Sequence, residues 1–219
     1  MKPKLKSEET RERILEAALK LFHDRGFDAT TMRDIAARAG MATGAAYYYF
    51  DSKDAIVLAF YHVAQEELKT RLEPAHESRT LEARLRAIIE AKFEYFAPNR
   101  AFLGALLGHA ADPANPLSPF GEASRDVRET DCAHFARALT ETKTSVPKDL
   151  APHMPRLLWL YQMGLLLFWI YDRSPDQRRS HALLAASAKI VVLLLRAANL
   201  PLMKPARKQV LELIAIVDG

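Results

Sequence analysis

The stretch that most constrains this chain is TMRDIAARAGMATGAAYYYF, residues 31–50, because it marks the ends of two helices too short to stand alone. Thr31 and Asp34 stand three apart, a capping-box spacing with Asp in the less usual acceptor role, and Gly40 closes a helix of about two turns. A second short helix is expected over 43–50, after which Asp51 or Ser52 caps a long one that Pro74 ends. Helices of this length are marginal in water without a packing partner. The partner lies upstream, where Ile14, Ala18, Leu21 and Phe22 recur at three and four across 8–25. Ser7 is the expected cap of that helix, Glu8 and Glu9 suit its positive end, and Gly26 supplies the left-handed residue that stops it.

The run YYYF at 47–50 has strand propensity, but four residues bracketed by helices have no strand to pair with, so helix is the better assignment. On a helix Ala46 and Phe50 share a face, Gly44, Ala45 and Tyr48 take roughly the opposite one, and Tyr47 sits on the flank. Phe50 belongs in a core with Ala46, and Tyr49 reads best as packing beneath the long helix that follows. Phenols beside small residues suit a surface that approaches a partner closely and donates hydrogen bonds, with phosphate oxygens as natural acceptors.

A short helix, a glycine turn and a second short helix, held by a preceding one, make a helix-turn-helix, whose second helix enters the major groove. Residues 10–60, carried by ILEAALKLFHDRGFDATTMRDIAARAG and YYYFDSKDA, resemble the DNA-binding domain of the TetR family of repressors. The resemblance implies a recognition helix at 43–50. Position by position, it implies that Arg33, Thr43 and Ala45 read base edges and that Thr31, Tyr47, Tyr48 and Lys53 hold phosphates, Lys53 at a helix N-terminus where backbone N–H groups assist. Gly44 belongs to the same face. Two departures stand out: Ala42 where many members carry Ser, and Ala45 where Thr is frequent. Thr43 is then the alternative cap, a role that competes with base reading.

Charge alone does not select a nucleic-acid partner. The chain is +4 overall, but residues 1–72 hold 12 Lys and Arg against 11 Asp and Glu, so DNA binding must rest on a few well-placed groups. At 49% hydrophobic and 26% charged the composition is that of a soluble globular protein. One cysteine, Cys132, excludes a disulfide framework and a thiolate metal cluster. The lysine-rich start is followed by charges on a helical period, unlike a signal peptide, so a cytoplasmic location without a membrane is expected.

The expected organisation is all-α: a helix-turn-helix domain over 1–52, a connecting helix over 53–74 and a helical effector-binding and dimerisation domain over 75–219. Beyond residue 75 the resemblance holds at the level of fold only. There, TLEARLRAIIEAKFEYFAPN is an amphipathic helix with Leu81, Leu85, Ile88 and Ile89 inward, followed by a shorter apolar helix. Proline-rich DPANPLSPFG and SVPKDLAPHMP connect to a polar helix ending near 141 and to LLWLYQMGLLLFWIY, 157–171. That uncharged run is shorter than the ~20 residues a bilayer requires and is apolar all round, so it must be covered on every side. One chain of this size cannot surround it. With RRSHALLAASAKIVVLLLRAANL returning after a turn, two hairpins related by a twofold axis make a four-helix dimer interface, which the resemblance also implies.

The implied partners are double-stranded DNA with a palindromic operator, a second copy of the chain, and a small apolar or aromatic effector. Candidate effector contacts are Phe93, Phe96, Phe102, Leu103, Leu106, Trp159 and Met163, with His109 and Gln162 as polar tips. The same residues read equally as core packing, which leaves a DNA-binding regulator or structural protein without an effector as the alternative. Seven dispersed histidines and the absence of HExxH, GxSxG and a glycine-rich phosphate loop argue against catalysis, and no cofactor or metal is expected.

Overall fold

The computed structural model describes residues 3–110, 112 and 114–218, with side chains over 6–106, 112 and 114–216. The described residues form ten α-helices and no strand. They are α1 (Pro3–Arg25), α2 (Met32–Arg38), α3 (Thr43–Tyr49), α4 (Lys53–His76), α5 (Leu81–Phe96), α6 (Arg100–Ala110), α7 (Arg125–Glu141), α8 (Met154–Tyr171), α9 (Arg178–Ala198) and α10 (Lys204–Asp218). The chain divides into two compact units, Met1–Leu68 with Tyr95–Arg128 and Lys69–Glu94 with Glu129–Gly219. The division passes through α4, α5 and α7, whereas the boundaries expected from the sequence fall at 52 and 74.

Local signals set most helix ends in the first unit. Thr31 and Asp34 form a reciprocal box: Thr31 N–H donates to Asp34 Oδ2 at 3.0 Å and Asp34 N–H donates to Thr31 Oγ1 at 3.2 Å. The same Thr31 contacts, side chain first, hold the Asp34 carboxyl below its usual range. Gly26 and Gly40 take φ of +86° and +69°, left-handed conformations that let the chain turn out of α1 and α2. Ser52 Oγ accepts from Ala55 N–H at 3.1 Å and caps α4, while Asp51 instead accepts from the Ser52 hydroxyl.

Two expected ends are corrected. Ser7 does not cap α1, because that helix begins a turn earlier at Pro3. Proline tolerates the first turn since its missing N–H has no intrahelical acceptor there, and Glu8 and Glu9 accordingly fall beyond the first turn. Pro74 lies inside the last turn of α4, which runs on to His76. The ring removes one hydrogen bond and crowds the preceding turn, and the helix stops two residues later.

The first unit's core gathers Ile14, Ala18, Leu21 and Phe22 of α1, Ile35 and Ala36 of α2, Ala46 of α3 with Phe50 behind it, Ile56, Val57 and Phe60 of α4, and Phe102 of α6. Phe22 and Phe102 stack with centroids 5.1 Å apart. In the second unit, α5 turns Leu81, Leu85, Ile88, Ile89 and Phe93 inward, and Phe93 stacks on Trp169 at 5.2 Å. Helix α8 starts at Met154, three residues before the uncharged run, with Pro155 in its first turn. Its burial is one-sided: Leu158, Trp159, Gln162, Leu165 and Trp169 point in, whereas Leu160, Leu167, Phe168 and Tyr171 are exposed. Asp172 closes the hairpin by accepting from Ser174 N–H at 2.9 Å, Ser180 N–H at 2.9 Å and the Ser180 hydroxyl at 2.7 Å. The segment Pro175–Ala198 is long and apolar enough to cross a membrane by length and composition, although Asp176, Arg178, Arg179, Lys189 and Arg196 lie within it. Helix α10 lies beyond the helices expected from the sequence. Arg207 holds it, donating to Asp149 at 3.0 Å and to the Ala198 carbonyl at 2.6 Å.

Candidate nucleic-acid interface

Helix α3 is locked on one face and open on the other. Ala46 has no exposed surface and Phe50 almost none, so both are committed to the core. Gly44, Ala45, Tyr47 and Tyr48 lie outside, Tyr48 at 84% exposure and Tyr47 at 50%. Tyr48 rests edge-on against Tyr49 at 5.3 Å, and Tyr49 is the half-buried member that packs on the core. A Cβ added at Gly44 would meet nothing within 4 Å, and this glycine has no positive φ. Neither backbone conformation nor internal packing therefore requires glycine there.

The N-cap of α3 is Ala42, whose side chain makes no capping bond. Thr43 occupies the first helical position and does not take over the cap, leaving its half-buried side chain at the start of the exposed face. Arg33 is exposed in the first turn of α2, and Thr31 is exposed at its cap. Lys53, the first residue of α4, is half-buried: its ammonium donates to the Phe27 carbonyl at 2.6 Å and stands 4.4 Å from the centre of the Phe27 ring. As placed, it ties α4 to the turn after α1.

One positioning residue carries no sequence signal. Arg11 on α1 lays its guanidinium over the Phe50 ring at 4.2 Å and donates to the Tyr49 carbonyl at 3.2 Å. It clamps the end of α3 against α1 from 38 residues away, and no local spacing announces such a contact.

The expected effector contacts do not fall in one unit. Phe96, Phe102, Leu103 and Leu106 belong to the first, where Phe102 and Phe96 pack against Phe60 with centroids 6.0 and 6.1 Å away. Phe93, Trp159, Gln162 and Met163 belong to the second. The side chain of His109 lies outside the described residues. Around Gln162 a buried polar group converges: Lys92 pairs with Asp131 at 2.6 Å, and the Gln162 amide donates to Asp131 Oδ2 at 3.0 Å. Nearby on α7, burial and then the Lys92 charge push His134 down to about 4, so its ring is neutral. A separate groove of about 590 Å³ opens on α8 and the start of α9, with Gly164, Leu167, Phe168 and Tyr171 on its walls and Arg173 and Arg179 beside them. Among the described residues no three His, Cys, Asp or Glu side chains gather as a metal-holding group.

Comparison with known proteins places this geometry. Residues 14–60 match the model of bacterial regulatory proteins of the tetR family, and residues 84–210 match a tetracyclin repressor-like C-terminal domain. The HTH-type transcriptional regulator TtgR of Pseudomonas putida is 43% identical over 175 residues, 76% of this chain and 83% of that protein. The uncharacterized HTH-type transcriptional regulator YerO of Bacillus subtilis is 33% identical over 110 residues, 49% of this chain, and the match spans only 38% of that relative's length. The TetR family transcriptional regulator PfmR of Thermus thermophilus superposes with a TM-score of 0.57 at 26% identity, covering 83% of this chain and 95% of that one. With a helix-turn-helix at one end and a matching helical domain over more than half its length, the chain belongs to the TetR family of bacterial regulatory proteins.

Proposed function

We propose that this protein is a cytoplasmic, homodimeric, sequence-specific DNA-binding repressor that leaves a palindromic operator when a small, mostly apolar effector binds. The observation that carries the reading is the two-faced α3, with Ala46 and Phe50 fixed in the core while Gly44, Ala45, Tyr47 and Tyr48 stand free. In this role the small side chains allow close approach to the major groove, Arg33, Thr43 and Ala45 meet base edges, and Thr31, Tyr47, Tyr48 and Lys53 meet phosphates.

Two half-sites about one helical turn apart need two copies of α3. What supports a dimer is the exposed apolar surface of Leu160, Leu167 and Phe168 on α8 and Ile190, Leu193 and Leu194 on α9, a patch whose hydration is unfavourable in a solvated monomer. A second copy of the same surface covers it in a twofold interface. An effector releases DNA only by binding the DNA-incompetent arrangement more tightly, and a coupling of about 1–3 kcal/mol is sufficient. Helix α4 is the natural carrier, since it starts next to α3 in sequence and its last turns belong to the second unit.

Selection of bound duplexes from a random pool tests the reading. A palindromic consensus whose half-sites lie about one helical turn apart is expected. Enrichment of no sequence, or of a single asymmetric site bound by a monomer, refutes it.

A further inference from the structure

Gln162 stands on α8 with 1% of its surface exposed, and its two amide atoms have different fates. The nitrogen donates to Asp131 Oδ2 at 3.0 Å. The oxygen is buried and has no hydrogen-bond partner. Turning the amide over cannot cure this, because it would set a carbonyl oxygen against a carboxylate. Asp131 is itself fixed, since it takes the Lys92 ammonium at 2.6 Å, with both partners almost wholly buried. Helices α5, α7 and α8 thus commit three side chains to aiming one acceptor into the interior, and a buried acceptor left unmade is a standing cost to the fold.

A second orphan lies close by. His134 follows Asp131 by three residues on α7, so the two share a face. Its Nε2 is buried without a partner, while its Nδ1 lies 3.4 Å from Nε2 of His76. Burial and the Lys92 charge keep His134 neutral. A neutral ring offers a lone pair or an N–H, never two donors. Lys92 is already neutralised by Asp131, so the cluster holds no spare positive charge for an anion, and the Gln162 oxygen beside a carboxylate opposes one.

We propose that the Lys92–Asp131–Gln162 cluster is the recognition point for the effector, and that the effector is an uncharged apolar molecule bearing a hydrogen-bond donor, a hydroxyl or N–H, directed at Gln162 Oε1. This deepens the reading of the protein as a ligand-released regulator and rests on it. The donor satisfies an atom that the protein's own side chains leave unpaired, so the group is a specificity determinant: a congener with the donor methylated places an ether oxygen against Oε1 and gains nothing. Gln162 touches the effector, whereas Asp131 and Lys92 position it.

The test uses the full-length dimer and two matched pairs of probes: 2-naphthol with 2-methoxynaphthalene, and 4-phenylphenol with 4-methoxybiphenyl, with 2-naphthoate as the anionic comparison. Binding is followed by quenching of Trp159 and Trp169 and by thermal shift, without DNA. Each phenol is expected to bind at least about tenfold more tightly than its ether, and more tightly than the naphthoate. In Gln162→Met, which keeps the volume and removes the orphan oxygen together with the amide's bond to Asp131, the preference falls to within about twofold while the far-UV circular dichroism and the dimeric state are kept. The assignment is overturned if neither phenol outbinds its ether in the wild type, a result that needs no variant, or if the preference survives in Gln162→Met. The two readings fail separately. Phenol binding that leaves operator affinity unchanged refutes release and keeps the site, whereas operator release by an effector lacking any donor refutes the site and keeps release.

Discussion

Gly44→Ala separates folding from DNA contact, because the structure assigns the two effects opposite signs. In the folded chain the new methyl meets nothing within 4 Å, and the backbone needs no left-handed conformation at this residue. The folded state therefore carries no steric penalty, and the helix gains from losing a glycine. A helix-interior Gly→Ala change is worth about 1 kcal/mol and stiffening of the unfolded chain about 0.4–1 kcal/mol. Position 44 is only the second residue of α3, so the lower end, ~0.5 kcal/mol, is appropriate. In a protein of this size that raises Tm by about 1–2 °C. If the open face of α3 lies against the floor of the major groove, the same methyl must be accommodated by withdrawing the helix, which weakens the contacts of Arg33, Tyr47 and Tyr48 together. A loss of about 1–3 kcal/mol, the worth of one good base contact, is expected. The assay is fluorescence anisotropy on the selected operator and on a scrambled duplex, with scanning calorimetry on the same preparations. A variant that is more stable yet binds its operator as tightly as the wild type refutes the placement of α3 in the groove. A variant that melts lower refutes the open geometry at Gly44.

Arg33→Ala, at an exposed residue, leaves Tm unchanged, costs about 1–3 kcal/mol of operator affinity and relaxes one base position per half-site in the selected consensus; an unchanged consensus removes Arg33 from base reading. Lys53→Met removes the ammonium's bond to the Phe27 carbonyl, which still accepts from Thr30 N–H at 3.3 Å, so chemical denaturation should show a loss of about 0.5–1.5 kcal/mol, and the salt dependence of binding should lose about one unit of slope if the ammonium also serves a phosphate. An unaltered slope makes Lys53 purely structural. Leu193→Glu, at a side chain 64% exposed in the single chain, should leave the helical content intact and give monomers by light scattering that bind the palindrome poorly; a variant that remains dimeric moves the interface away from α9. Lys92→Met leaves Asp131 buried without its 2.6 Å partner and is expected to cost about 3–5 kcal/mol in urea unfolding; near-wild-type stability would show that water reaches the carboxylate.

What the sequence reveals and what it hides divide by the distance over which the determining contact acts. The ends of α2 and the start of α4 are legible because Thr31 with Asp34, Gly40 and Ser52 act within four residues of themselves, and a local motif carries the same meaning in any fold. Arg11 on Phe50 and Lys53 on the Phe27 carbonyl join residues 39 and 26 apart, and in isolation each cation is indistinguishable from a solvated one. The uncharged run of α8 is a subtler case. Its composition demands cover on all sides, yet an uncharged stretch with a single strongly polar side chain has no hydrophobic period, so it does not say which face meets its own chain. That choice is made by the neighbours: Phe93 takes the ring of Trp169 and Asp131 takes the amide of Gln162, which turns those two inward and leaves Leu167, Phe168 and Tyr171 outside. Gln162, the one strongly polar side chain in the run, would by composition alone belong in water. It is buried because a carboxylate is buried opposite it, and that carboxylate is tolerated because Lys92 is buried beside it. Each member of the trio violates a rule of burial alone and obeys it only in the company of the others. No single-residue reading finds such a group.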